Sequence, residues 1–175
     1  MLDIDAILMP VDFSPHARLA AAHAAHLATT HDATLHLLHV LEAPSFPSFY
    51  GAGSAVMYDE PPDLEARARE ALQDLADAIT DGPGPITDDS MPSVQLHVAD
   101  GEASLTILEM AESRGVDLIV IAGLGRTGLN RLLLGSVAQD VVQHAPCAVF
   151  VVKTNHSSLV PGWEPIETAA PSGAE

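Results

Sequence analysis

A parallel α/β fold, with five strands in one sheet and helices on both faces, is predicted by three observations on this sequence. Short apolar runs alternate with longer segments whose apolar residues recur at helical spacing. The second run, ATLHLLHVL, is apolar on both faces, as a strand covered from two sides must be. Hydrophobic residues make up 47% of 175 residues, enough apolar surface for a sizeable core in one domain.

The elements follow in order. Asp5 to Val11 reads as the first strand. Ser14-Pro15 marks a helix start, because Ser caps free amides and Pro lacks only an N–H that would be unpaired there anyway. The helix that follows places Leu19, Ala20, Ala24, Leu27 and Ala28 on one face. Ala33 to Leu41 is the second strand, with its C-terminal end at Val40. Glu42 to Pro62, rich in Pro, Gly and Ser, is too long for an ordinary connection and is expected to be a lid or partner-binding loop. Asp63 to Thr80 is amphipathic and helical, and DGPGPITDDSMP is a solvated linker. A third strand spans Ser93 to Val98, and a third helix runs from Ala103 to Arg114 with Gly115 ending it. Val116 to Ile121 is the fourth strand, Ser136 to His144 the last helix and Ala148 to Val152 the last strand. The domain is therefore expected over residues 1–154, with residues 155–175 a mobile tail carrying Trp163.

Charge narrows the partners. Twenty-four acidic residues against seven basic ones give a net charge of −17, a field that repels nucleic acid and anionic membranes. No stretch approaches the roughly 18 unbroken apolar residues of a membrane span. The start MLDIDAILMP lacks the basic residues of a signal peptide, so a cytoplasmic location is expected. Cys147 is the only cysteine, which excludes an intrachain disulfide and leaves a buried, inert thiol as its expected fate.

Two of the seven cations, Arg126 and Arg131, lie in the glycine-rich stretch AGLGRTGLNRLLLGSV, Ala122 to Val137. Gly123, Gly125 and Gly128 have the spacing of a dinucleotide fingerprint. That reading fails, because Gly135 interrupts the helix the fingerprint needs and the next strand ends at Lys153 without the ribose-binding acid. The other end of the stretch reads better. Ser136 and Gln139 form an S-x-x-Q capping box, and Gly135 before it lets an anion approach the bare amides of a helix N-terminus. A helix start and nothing more is the competing reading of the same residues.

Gly125, nine intervening residues and Gly135-Ser136, together with ILMPVDFS and LHLLHV earlier in the chain, resemble the universal stress protein family over about residues 4 to 153. The resemblance implies a Rossmann-like three-layer sandwich that binds an adenine nucleotide. Asp12 would contact adenine or ribose beside Pro10 and Val11, and Val40 would pack near the base. Gly125, Gly135, Ser136 and the N–H of Val137 would hold the phosphates, with Gly123 relaxing the turn. The family pattern's first glycine falls on Ala122, whose methyl is expected to narrow the approach. ATP is polyanionic, so Mg²⁺ and Arg126 are expected to offset the acidic field.

The remaining candidates receive plainer readings. Asp12, taken alone, could serve only to end a strand and start a helix. His16, His23 and His26 recur at helical spacing, but no carboxylate or cysteine pattern accompanies them, so they are read as solvated rather than metal-binding. His36 and His39 are read as core or edge groups. No Ser-His-Asp order or paired-carboxylate spacing supports an efficient hydrolase. The last strand, AVFVV, would alternate Phe150 and Val152 with Val149 and Val151 across its faces and leave an edge open to a second copy. The expected function is a cytoplasmic stress-response regulator binding ATP or another adenine nucleotide as a homodimer. The alternatives are a nucleotide-free dimeric interaction module and a slow ATPase.

Overall fold

The computed structural model describes residues 3–42, 63–80, 92–124 and 134–153. Within them lie β1 (Ala6–Pro10), α1 (Pro15–His31), β2 (Thr34–Leu41), α2 (Leu64–Thr80), β3 (Val94–Asp100), α3 (Ala103–Arg114), β4 (Leu118–Ala122), α4 (Ser136–His144) and β5 (Ala148–Val152). The strands form one five-stranded sheet in the order β3-β2-β1-β4-β5, every pairing parallel. The expected parallel α/β sandwich is what the chain forms. The expected loop over 43–62, the linker from 81 to 91 and the tail with Trp163 lie outside the described residues.

Alternation along each strand divides the core in two. Ile7, Met9, Leu35, Leu37, Leu118 and Val120 pack under α1 and α2. Leu8, Leu38, Ile119 and Ile121 face α3 and α4, against Ile107, Ala111, Ala138 and Val141. Burying each large aliphatic side chain contributes about 1.5–3 kcal/mol, so both faces are needed to hold the sheet between its helices. On β5, Phe150 packs with the first cluster and Val149 and Val151 with the second, the expected alternation.

Local signals act where the sequence places them. Ser14 caps α1 by accepting from the Ala17 N–H at 3.1 Å, with Pro15 at the first helical position. Gly115 ends α3 in the left-handed conformation, φ 61°. Two strand bounds differ from expectation by two residues, and the others agree within one. β3 continues to Asp100 because its ladder with β2 runs on to the Leu41–Asp100 pair. β4 begins only at Leu118, because the Val116 N–H is still bonded to Ala111 as α3 unwinds.

The solvated reading of the α1 histidines is corrected. His23 is only 6% exposed. Its Nδ1–H donates to the Leu19 carbonyl at 2.9 Å, and its ring lies 6.2 Å from that of Phe150 on β5. The cause is that α1 packs against the sheet and also against α2, which buries more of its circumference than one amphipathic stripe. His16 and His26 are partly exposed. Cys147 is half-buried rather than buried as expected, and desolvation raises its thiol pKa.

Candidate functional site

The sheet topology creates a crevice. From β1 the chain adds β2 and β3 on one side, then crosses to place β4 and β5 on the other. Helices leaving β1 and β4 depart to opposite faces, so the C-terminal ends of these two strands open a gap. A cavity of about 650 Å³ lies there. Its apolar wall is Leu38, Val40, Ile107 and Ile121 from β2, α3 and β4. Pro10, Val11 and Asp12 line it from the end of β1, and Gly135, Ser136 and Val137 from the start of α4.

Asp12 stands in a tight turn. One of its carboxylate oxygens accepts the Ser14 N–H at 3.0 Å, so this residue both shapes the start of α1 and lines the cavity.

Two helix N-termini reach the cavity, and they differ in electrostatic state. At α3, the Glu102 carboxylate accepts the N–H groups of Ser104 and Leu105, each at 3.0 Å. The Glu42 carboxylate accepts the Ala103 N–H at 3.3 Å. Hydrogen bonds from the Leu105 amide and from the hydroxyl and amide of Ser104 hold the Glu102 carboxyl below the usual range, so its negative charge neutralises this helix end. At α4, the N-cap is Gly135, which offers no side-chain cap. The capping box expected from Ser136 and Gln139 is therefore absent. The Gly135 N–H donates to Gly123 at 2.9 Å, which fixes the helix start one residue early and puts Ser136 inside the first turn. Gly135 accepts the Gln139 N–H at 2.8 Å, while the amides of Ser136, Val137 and Ala138 have no acceptor among the described residues. An open helix N-terminus facing a cavity is suited to an anion.

Ala122 and Gly123 depart from their expected parts. Ala122 borders the cavity, but its methyl packs with the cluster under α1, on the face of Val120 and Leu118. The narrowing expected from that methyl is not what the fold presents, because side chains on a strand alternate and position 122 points to the other face. Gly123 is a joint: its N–H donates to Val152 at 2.9 Å and its carbonyl accepts from Gly135. Gly125 and Arg126, also expected here, lie outside the described residues. Residues that sequence reasoning did not place at this site include Leu38, His39, Glu42, Ala103, Ile107 and Leu124. The i, i+4 spacing of Ala103 and Ile107 shows that they share a helix face, but not that this face closes the cavity.

A protein-family model described as the universal stress protein family matches residues 4–153. A universal stress protein of Methanocaldococcus jannaschii is 32% identical over 147 residues, 84% of this chain and 81% of that protein. Among solved structures, the universal stress protein UspA of Lactobacillus plantarum is 26% identical with a TM-score of 0.68, covering 87% of this chain and 99% of that one. The universal stress protein of Archaeoglobus fulgidus solved in complex with dAMP is 22% identical with a TM-score of 0.57, covering 87% of this chain and 100% of its own. With the sheet order, the crevice and these likenesses together, the chain belongs to the universal stress protein family.

Proposed function

We propose that this protein is a cytoplasmic stress-response regulator that binds an adenine nucleotide in the cavity between β1, β2, β4 and α4. The observation that carries this reading is the uncapped start of α4, which opens on the same cavity as Asp12 and Val40. In this reading the base lies beside Pro10, Val11 and Val40, and Asp12 meets the ribose or base edge. The phosphates sit on Gly135, Ser136 and Val137 beside Gly123, and Gly125 and Arg126 are assigned to the same phosphates by the sequence alone. The Archaeoglobus fulgidus neighbour with dAMP supports an adenine nucleotide as the ligand class. For ATP, Mg²⁺ would arrive on the phosphates: among the described residues no group of three or more His, Cys, Asp or Glu is placed to hold a metal. Regulation follows from the effect of the bound nucleotide on partner choice by residues 1–154, with residues 155–175 as a tail. The functional unit is a homodimer joined through β5, whose outer edge is unpaired among the described residues.

The test is mass spectrometry of small molecules released from the natively purified protein, followed by titration with fluorescent ATP and AMP. Wild type should release an adenine nucleotide and rebind it. Gly135→Val should lose at least tenfold in affinity with its fold intact, because a branched side chain would occupy the approach to the free amides. Absence of binding by wild type would favour a nucleotide-free interaction module, and ADP release from excess ATP would add a slow ATPase.

A further inference from the structure

We propose that His39 is a positioning residue for the nucleotide site: its Nδ1–H and its ring hold the β1–α1 turn in the shape that presents Asp12 to the cavity. The inference rests on the nucleotide-binding reading of that cavity and names the part of the chain that sets its geometry.

Three contacts converge on this turn. The Val11 N–H donates to the Leu38 carbonyl at 2.7 Å, extending the β1–β2 ladder one residue beyond the strand. His39 Nδ1 lies 2.7 Å from the Val11 carbonyl oxygen. A carbonyl only accepts, so Nδ1 carries the proton and donates. The His39 ring also lies against Phe13, with centroids 4.5 Å apart and planes tilted by 42°. Phe13 is in the left-handed conformation, φ 59°, which a bulky side chain rarely adopts. Such a backbone persists only where its surroundings over-determine it, and it commonly marks a functional turn. Phe13 lies between Asp12 and Ser14, whose N–H holds the Asp12 carboxylate at 3.0 Å. Relaxing Phe13 would break that bond and swing Asp12 away from the cavity edge. His39 grips the turn on both sides of Asp12, at the Val11 carbonyl and at the Phe13 ring.

The test is a double-mutant cycle on the full chain. His39→Phe keeps an aromatic ring against Phe13 but deletes the donor. It should weaken binding of fluorescent AMP about fivefold to tenfold, the worth of one hydrogen bond. His39→Asn, whose side-chain amide can stand where Nδ1 stood, should recover most of that loss. In an Asp12→Ala background the His39→Phe change should cost less than about twofold, because the group being positioned is gone. Without nucleotide, the Ser14 amide resonance should shift in His39→Phe and return in His39→Asn. Equal losses in both backgrounds, or an unmoved Ser14 amide, would overturn the proposal while leaving nucleotide binding intact. A wild type that binds no adenine nucleotide would overturn the site reading itself, and this inference with it.

Discussion

Gly135 donates its backbone N–H to the carbonyl of Gly123 at 2.9 Å, and Gly123 donates its own to Val152 at 2.9 Å. The start of α4 is thereby hung from the ends of β4 and β5. A Cβ on Gly123 would meet the Val152 carbonyl oxygen and Val151 Cγ1, each at 3.3 Å, with a backbone atom that cannot easily retreat. Gly123→Ala should cost about 1 kcal/mol through overpacking, lowering Tm by roughly 2–4 °C. Thermal unfolding followed by circular dichroism checks this; an unchanged midpoint would mean that β5 gives way freely.

Ala122→Gly should leave affinity for AMP within about twofold of wild type, because the methyl it removes packs under α1 rather than into the cavity. A stability loss of about 0.5–1 kcal/mol is expected from glycine in a strand. A tenfold gain in affinity would show that the methyl obstructs the ligand after all.

The β5 edge offers a test of assembly that spares the fold. The Val152 carbonyl bonds inward to Gly123, so in a parallel strand the N–H and carbonyl of Val151 point outward, away from β4. Proline at 151 removes that outward N–H and leaves the β4–β5 ladder in place. Val151→Pro should therefore be a folded monomer by light scattering with unchanged circular dichroism. A mutant that stays dimeric would exclude this interface.

Acid should weaken the fold through His36 and His97. His36 Nδ1 and His97 Nε2 are 3.1 Å apart on β2 and β3, and His36 is 6% exposed. Burial and the nearby Arg114 charge lower both pKa values from 6.5, and for His97 the His36 and Arg69 charges add to this. The folded state thus takes up protons later than the unfolded one. The stabilisation is fully present above pH 6.5 and is lost as pH falls through 6.5 toward the lowered folded values. Tm should fall from pH 7.5 to 5.5, and His97→Gln should flatten that slope. An equal slope in the variant would assign the effect to other groups.

Chelation of divalent metal should weaken ATP binding more than AMP binding. A chain of net charge −17 repels a triphosphate more strongly than a monophosphate, and Mg²⁺ offsets most of the difference. Isothermal titration with each nucleotide in excess Mg²⁺ and in excess EDTA reads this directly. An ATP affinity that ignores EDTA would show that protein cations alone balance the charge.

Much of this architecture is written locally. Ser14-Pro15 starts α1 and Gly115 ends α3 because capping and the left-handed turn are decided within a few residues. The alternation of apolar runs with helical spacing is likewise local, and so is the glycine that leaves α4 without a side-chain cap. From these the fold class could be read before any coordinates, whereas the grouping of Asp12, Val40 and Gly135 came from the resemblance to the family's motif.

Other features depend on contacts between residues far apart in the chain. The S-x-x-Q pattern at Ser136 is a sound local cap, yet a hydrogen bond from Gly135 to Gly123 moves the helix start and leaves the box unmade. Glu102 caps Ser104 and Leu105 within its own turn, but that the Ala103 amide of α3 is taken by Glu42 follows only from where β2 ends relative to α3. Period-two alternation assigns Ala122 the same face as Val120, but which helix covers that face is settled by the crossover from β1 to β4. Strand order and register are properties of the assembled sheet, and the burial of His23 and the cavity wall at Ala103 and Ile107 are their consequences. Local chemistry chose the elements; their packing chose which amides, carboxylates and methyl groups face the cavity.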